Sequence, residues 1–144
     1  MRLFGLALAV CLLPLAAHAE VKIEKPWVRE TLGAGKITAG YGKITNTGDD
    51  SDYLLSVTTP AAAAAELHQS TDKGGVMTMA PVTRLEIPRM GAVELKPGGY
   101  HLMIMNVARP LKPGEKINLV FTFAHAGAVT VAADVLPLSA AGVP

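Results

Sequence analysis

Apolar and polar residues alternate with a period of two through most of this chain, in short runs broken by Gly, Pro, Asn and Asp. That is the strand period, since successive side chains point to opposite faces of a sheet. Val21 to Glu24 alternates, and Trp27-Val28-Arg29 after Pro26 reads as the next stretch of an edge strand, because proline cannot donate to a ladder. Thr38 to Asn46, Tyr53 to Thr58 and Tyr100 to Val107 are further strands. Ile117 to Phe123 and Ala128 to Val135 form a closing hairpin around Ala126-Gly127. Turns fall at Asn46 to Asp50, Gly74-Gly75 and Pro113-Gly114. The Asp49, Asp50 and Asp52 cluster is expected to be a solvated turn. Ala61 to Ala65 favours helix by propensity, yet the run is too short to be stable alone. Eight or nine short strands at this spacing predict an all-β single domain, a β-sandwich or Greek-key barrel.

The opening residues do not follow this pattern. Met1-Arg2 is a short positive start, Leu3 to Ala16 is almost wholly apolar, and Ala17-His18-Ala19 is a small-x-small cleavage site. Residues 1–19 therefore read as a cleaved secretory signal peptide, too short to span a membrane stably. Val10 is too large for the usual residue before a lipidated cysteine, which disfavours lipidation of Cys11. The domain is expected over residues 20–136, with 137–144 a flexible tail.

Cleavage changes the chemistry on offer. The full chain has 13 basic and 12 acidic residues, and losing Arg2 leaves 12 of each, a net charge of zero. No basic patch of the size nucleic acid needs is present. Cys11 is the only cysteine, so the mature chain has no disulfide, thiolate ligand or cysteine nucleophile. Aromatic residues make up 5% of the chain, so aliphatic side chains must build most of the core.

What remains is imidazole and thioether. His101 and Met103 stand two apart in a strand and share a face; Met105 continues it. Met77 and Met79 repeat the spacing beyond Gly74-Gly75, and a hairpin there brings His68 back toward Met79. Thioether sulfur is soft, selects Cu(I) and is a poor ligand for Zn, Mg or Ca. Two His and two Met are a neutral set, so the bound site keeps the single charge of the ion. Below about pH 6.5 protons compete for imidazole, while thioethers do not titrate. Met77, Met90 and Met105 taken singly are expected to be packing or surface residues, and His125 a turn residue. The case rests on His68, Met79, His101 and Met103 jointly.

Those four carry a resemblance. His68, ten residues, Met79, twenty-one residues, then His101-Leu102-Met103 is the H-X10-M-X21-H-X-M pattern of the periplasmic PCu(A)C copper chaperones. Glu66-Leu67-His68, Gly74 to Met77, Leu95 to Met103, Trp27-Val28-Arg29, Tyr41 and Asn46 before an acidic turn are also similar to that family. The resemblance implies a cupredoxin-like Greek-key fold and a strand rather than a helix at Ala61 to Ala65. It implies one Cu(I) bound as cargo by His68, Met79, His101 and Met103 in a shallow exposed site. It further implies delivery of copper in the periplasm toward the CuA centre of cytochrome c oxidase subunit II, alongside Sco-type thiol proteins; the chain is expected to act as a monomer. The tail after Val135 lacks His and Met, so the second copper site that some members carry there is not expected.

Rival classes fare worse. A blue-copper electron carrier needs a Cys ligand, which the mature chain lacks. An enzyme would need a Ser–His–acid set or an open three-ligand zinc site, and neither is readable. A periplasmic copper buffer or resistance protein without a dedicated acceptor remains as an alternative to a chaperone. So does an interaction sandwich whose Met cluster meets a partner.

Overall fold

The computed structural model describes residues 20–144. The expected signal peptide, with Cys11, lies outside the described residues. Among the described residues no helix is long and apolar enough to cross a membrane.

Among the described residues ten strands form: β1 (Val21–Arg29), β2 (Thr38–Asn46), β3 (Asp52–Thr58), β4 (Ala62–Lys73), β5 (Val76–Pro81), β6 (Leu85–Ile87), β7 (Gly91–Leu95), β8 (Tyr100–Val107), β9 (Lys116–Phe123) and β10 (Gly127–Leu136). They belong to one sheet in the order β5-β4-β8-β7-β2-β1-β10-β9-β3-β6. β3 returns to β4 at Val57 and Ala65, which closes a mixed barrel of eight strands. β5 extends outward from β4, and β6 from β3. The β1–β10 and β7–β8 pairs are parallel and the other pairings antiparallel. This is the expected all-β cupredoxin-like fold. The two strands beyond those legible in the pattern, β6 and β7, are short and lie in the proline-rich middle of the chain.

The inward positions are almost wholly aliphatic, as the composition requires: Val28, Ile44, Leu54, Ile87, Leu102, Ile104, Leu111, Leu119 and Val135 surround Phe121. The alanine run is strand. Ala62, Ala64 and Ala65 pair with Val107, Met105 and Ile104 of β8. Ladder bonds and burial beside β8 override a helix propensity that one short turn cannot exploit.

Two expectations are corrected. Trp27 to Arg29 is no edge strand, because β1 lies between β2 and β10. A register shift between Glu24 and Trp27, with Lys25 at φ 47°, absorbs Pro26 so that a central strand tolerates it. Asp52 is no part of a solvated turn. Its side chain is buried and accepts from the backbone N–H of Tyr53, His125 and Ala126 at 2.7, 2.9 and 2.8 Å. Asp49 and Asp50 remain exposed.

Candidate metal centre

The site grows from the alternation of two neighbouring strands. In β8, Leu102 and Ile104 point into the barrel, which turns His101, Met103 and Met105 outward. In β4, Leu67 points inward, so Glu66 and His68 face out. The β4–β8 register sets His68 opposite His101, and Glu66 opposite Met103.

Met79 arrives from the far side of β4. The outer part of β4 and all of β5 form a two-stranded arm beyond the barrel, exposed along its length. Gly74 and Gly75 turn its tip with φ of 64° and 87°, values that side chains with a Cβ rarely adopt. Asp72 Oδ1 accepts from Gly75 N–H at 2.8 Å and fixes that turn. Ser70 then pairs with Met79, one step along the same face from His68. The hairpin expected at Gly74-Gly75 thus forms, and it sets His68 between the strands that carry Met79 and His101.

Met79, His101 and Met103 line one surface recess of about 280 Å³. His68 is not part of that lining; its ring centroid lies 6.0 Å from that of His101. An ion bound to imidazole nitrogen at about 2 Å sits roughly 3 Å from the ring centroid, so two rings about 6 Å apart can share it. Met77 lies farther out on the arm, opposite Asp72. Met105 lies opposite Ala64, on the far side of Met103 from His101. His125 is in the β9–β10 turn, remote from β4 and β8, with Nδ1 3.6 Å from Asp52 Oδ1.

The hydrogen bonds of the two imidazoles suit them as ligands. The Gly99 carbonyl can only accept, so His101 Nδ1–H donates to it at 3.1 Å, leaving Nε2 with a free lone pair. His68 Nε2 is 2.9 Å from Glu66 Oε2. His68 Nδ1 is buried with no hydrogen-bond partner among the described residues. Buried polar atoms are nearly always satisfied, and an orphan imidazole nitrogen on a ring next to a second histidine fits a metal ion.

The walls of the recess come from residues that carried no signal of a site. Arg29, Ile37 and Leu138 line it, from the end of β1, the β1–β2 connection and the segment after β10. Leu138 is held there by its own N–H, which donates to Glu30 Oε1 at 3.0 Å. Arg29 lies over Trp27 and Tyr41, 5.9 and 5.6 Å from their ring centroids. Burial pushes the Tyr41 phenol above its ordinary range, opposed in part by the Arg29 charge. Glu66 was also missed as part of the site, although its position two before His68 places it on the same strand face.

The fold defines the class of protein: a cupredoxin-like barrel of the PCuAC type. Similar solved structures include the apo PmoF2 PCuAC domain, 25% identical with a TM-score of 0.72, covering 88% of this chain and 98% of that one. Another is Cu(I)-DR1885 from Deinococcus radiodurans, 31% identical with a TM-score of 0.62, covering 83% of this chain and 80% of that one. The family model described as "Putative lipoprotein LpqE-like" matches residues 21–135, and the chain belongs to that LpqE-like family. "Putative lipoprotein Lxx21020" of Leifsonia xyli subsp. xyli is 32% identical over 145 residues, covering 94% of this chain and 86% of that protein.

Proposed function

We propose that this protein is an exported copper carrier that holds one Cu(I) through His68, Met79, His101 and Met103 and passes it to an acceptor. The observation that carries the reading is the orphaned, buried His68 Nδ1 beside His101, on the sheet face that also presents Met79 and Met103. A PCuAC-type relative solved with Cu(I) bound supports it. The resemblance in sequence names the periplasm as the compartment and the CuA centre of cytochrome c oxidase as the destination.

The site is built for exchange rather than for locking copper away. His101 is anchored in a barrel strand and buried, whereas Met79 is 53% exposed on the projecting arm. An acceptor thiolate approaching from solvent meets Met79 first and displaces its thioether; Met103 and the imidazoles follow. Thiolate binds Cu(I) more strongly than thioether, so transfer to a dithiolate acceptor runs downhill.

X-ray absorption on the Cu(I)-loaded mature protein tests the ligand set. Two sulfur and two nitrogen neighbours are expected; a shell of nitrogen and oxygen alone rejects it. Competition against a chromogenic Cu(I) chelator should show one equivalent withheld, and no competition at one equivalent rejects copper carriage. Oxidising the methionines should release the ion, because a sulfoxide offers a hard oxygen in place of a soft sulfur. Full copper retention after mass spectrometry has confirmed oxidation of Met79 and Met103 contradicts thioether ligation.

A further inference from the structure

Glu66 stands two residues before His68 on the outward face of β4, and its Oε2 is 2.9 Å from His68 Nε2. An ionised carboxylate has no proton to give, so the hydrogen of this bond belongs to the imidazole. With Nε2 protonated, the neutral ring carries its lone pair on Nδ1. That is the atom found buried and unpartnered. The bond also fixes the ring plane, because both groups belong to one strand with a spacing set by the pleat. His101 is held from the opposite nitrogen, with Nδ1 on the Gly99 carbonyl and Nε2 free. The two histidines therefore present different nitrogens, each selected by an acceptor on the other side of its ring.

We infer that Glu66 is a positioning residue that commits His68 to bind Cu(I) through Nδ1, while His101 binds through Nε2. The inference rests on the copper reading above. Carboxylates that hold a ligating histidine from behind recur in metal sites because they fix the tautomer and make the ring a better donor. A purely structural ion pair is a weaker account. Glu66 is more than half exposed, where such a pair contributes little to stability, and it leaves the orphaned Nδ1 unexplained.

The test compares the full-length mature protein with Glu66→Ala and Glu66→Gln, using nitrogen-15 spectra of the histidine rings and Cu(I) competition titration. In the wild-type apo protein, His68 should show a slowly exchanging Nε2–H and an unprotonated Nδ1. Cu(I), being d10 and diamagnetic, should then shift Nδ1 of His68 and Nε2 of His101. Glu66→Ala should lose the slow Nε2–H and bind Cu(I) about ten- to hundredfold more weakly at unchanged melting temperature. Glu66→Gln keeps an acceptor oxygen without the charge, and should recover part of the affinity and the protected proton. A wild-type His68 protonated at Nδ1, or a copper shift at its Nε2, overturns the assignment. So does Glu66→Ala binding as tightly as wild type, or Glu66→Gln binding as weakly as Glu66→Ala, which would leave charge alone as the cause. Failure of the wild type to withhold Cu(I) at all refutes the copper reading instead, and the apo spectra still decide the tautomer.

Discussion

Met103→Leu is expected to weaken Cu(I) binding by at least about tenfold, on the scale by which even supporting residues of metal sites act, while the barrel stays folded. The two effects separate because Met103 is half-buried on the outward face and its neighbours Leu102 and Ile104 carry the core. Leucine nearly matches methionine in volume, and such exchanges usually cost less than about 1.5 kcal/mol. What leucine cannot supply is a lone pair. The ion would keep two imidazoles and Met79, the donor on the exposed arm. Chelator competition measures the affinity, and thermal denaturation of the apo protein checks the fold. Unchanged affinity would remove Met103 from the ligand set.

Asp52→Ala is expected to cost about 3 kcal/mol, or on the order of 10 °C in melting temperature, with copper affinity per folded molecule unchanged. The buried Asp52 carboxylate accepts three backbone N–H groups, from Tyr53, His125 and Ala126, and so ties the β9–β10 turn to the start of β3. Removing it leaves three backbone donors without the acceptor they share. Burial alone would raise the carboxyl above its ordinary range, but the three hydrogen bonds, helped by nearby His125, outweigh it and hold the group below that range. The folded state therefore binds this proton less readily than the unfolded chain does. The resulting stability is present above the ordinary carboxylate pKa of about 4 and is lost as pH falls through the lower, folded value. Urea denaturation across that acid range should show a steeper loss for wild type than for Asp52→Asn. Parallel curves would mean that Asp52 does not hold the proton balance described.

Much of the barrel was legible because strand alternation is a local property. Each residue's side follows from its neighbours, so the inward Leu102 and Ile104 and the outward His101 and Met103 follow from the order of residues in β8 alone. The Gly74-Gly75 turn was legible for the same reason, since left-handed backbone angles select glycine at the position itself. Partner strands are a different matter. Pro26 argued locally for an edge, yet β1 is central because the register shift between Glu24 and Trp27 takes up the proline where it stands. Asp52 looked like its exposed neighbours Asp49 and Asp50, and only the docking of the distant β9–β10 turn buries it.

The candidate site divides along the same line. The donor atoms, their softness, the absence of thiolate from the expected mature chain and the spacing of His101 and Met103 are properties of the residues in order, and these, with the resemblance their spacing carries, pointed to Cu(I). The β4–β8 register that sets His68 against His101, the arm that carries Met79 to the same face, and the walls of Arg29, Ile37 and Leu138 come from strands pairing across long stretches of chain. A register is chosen by the burial of a whole strand face at once, so no single residue announces it.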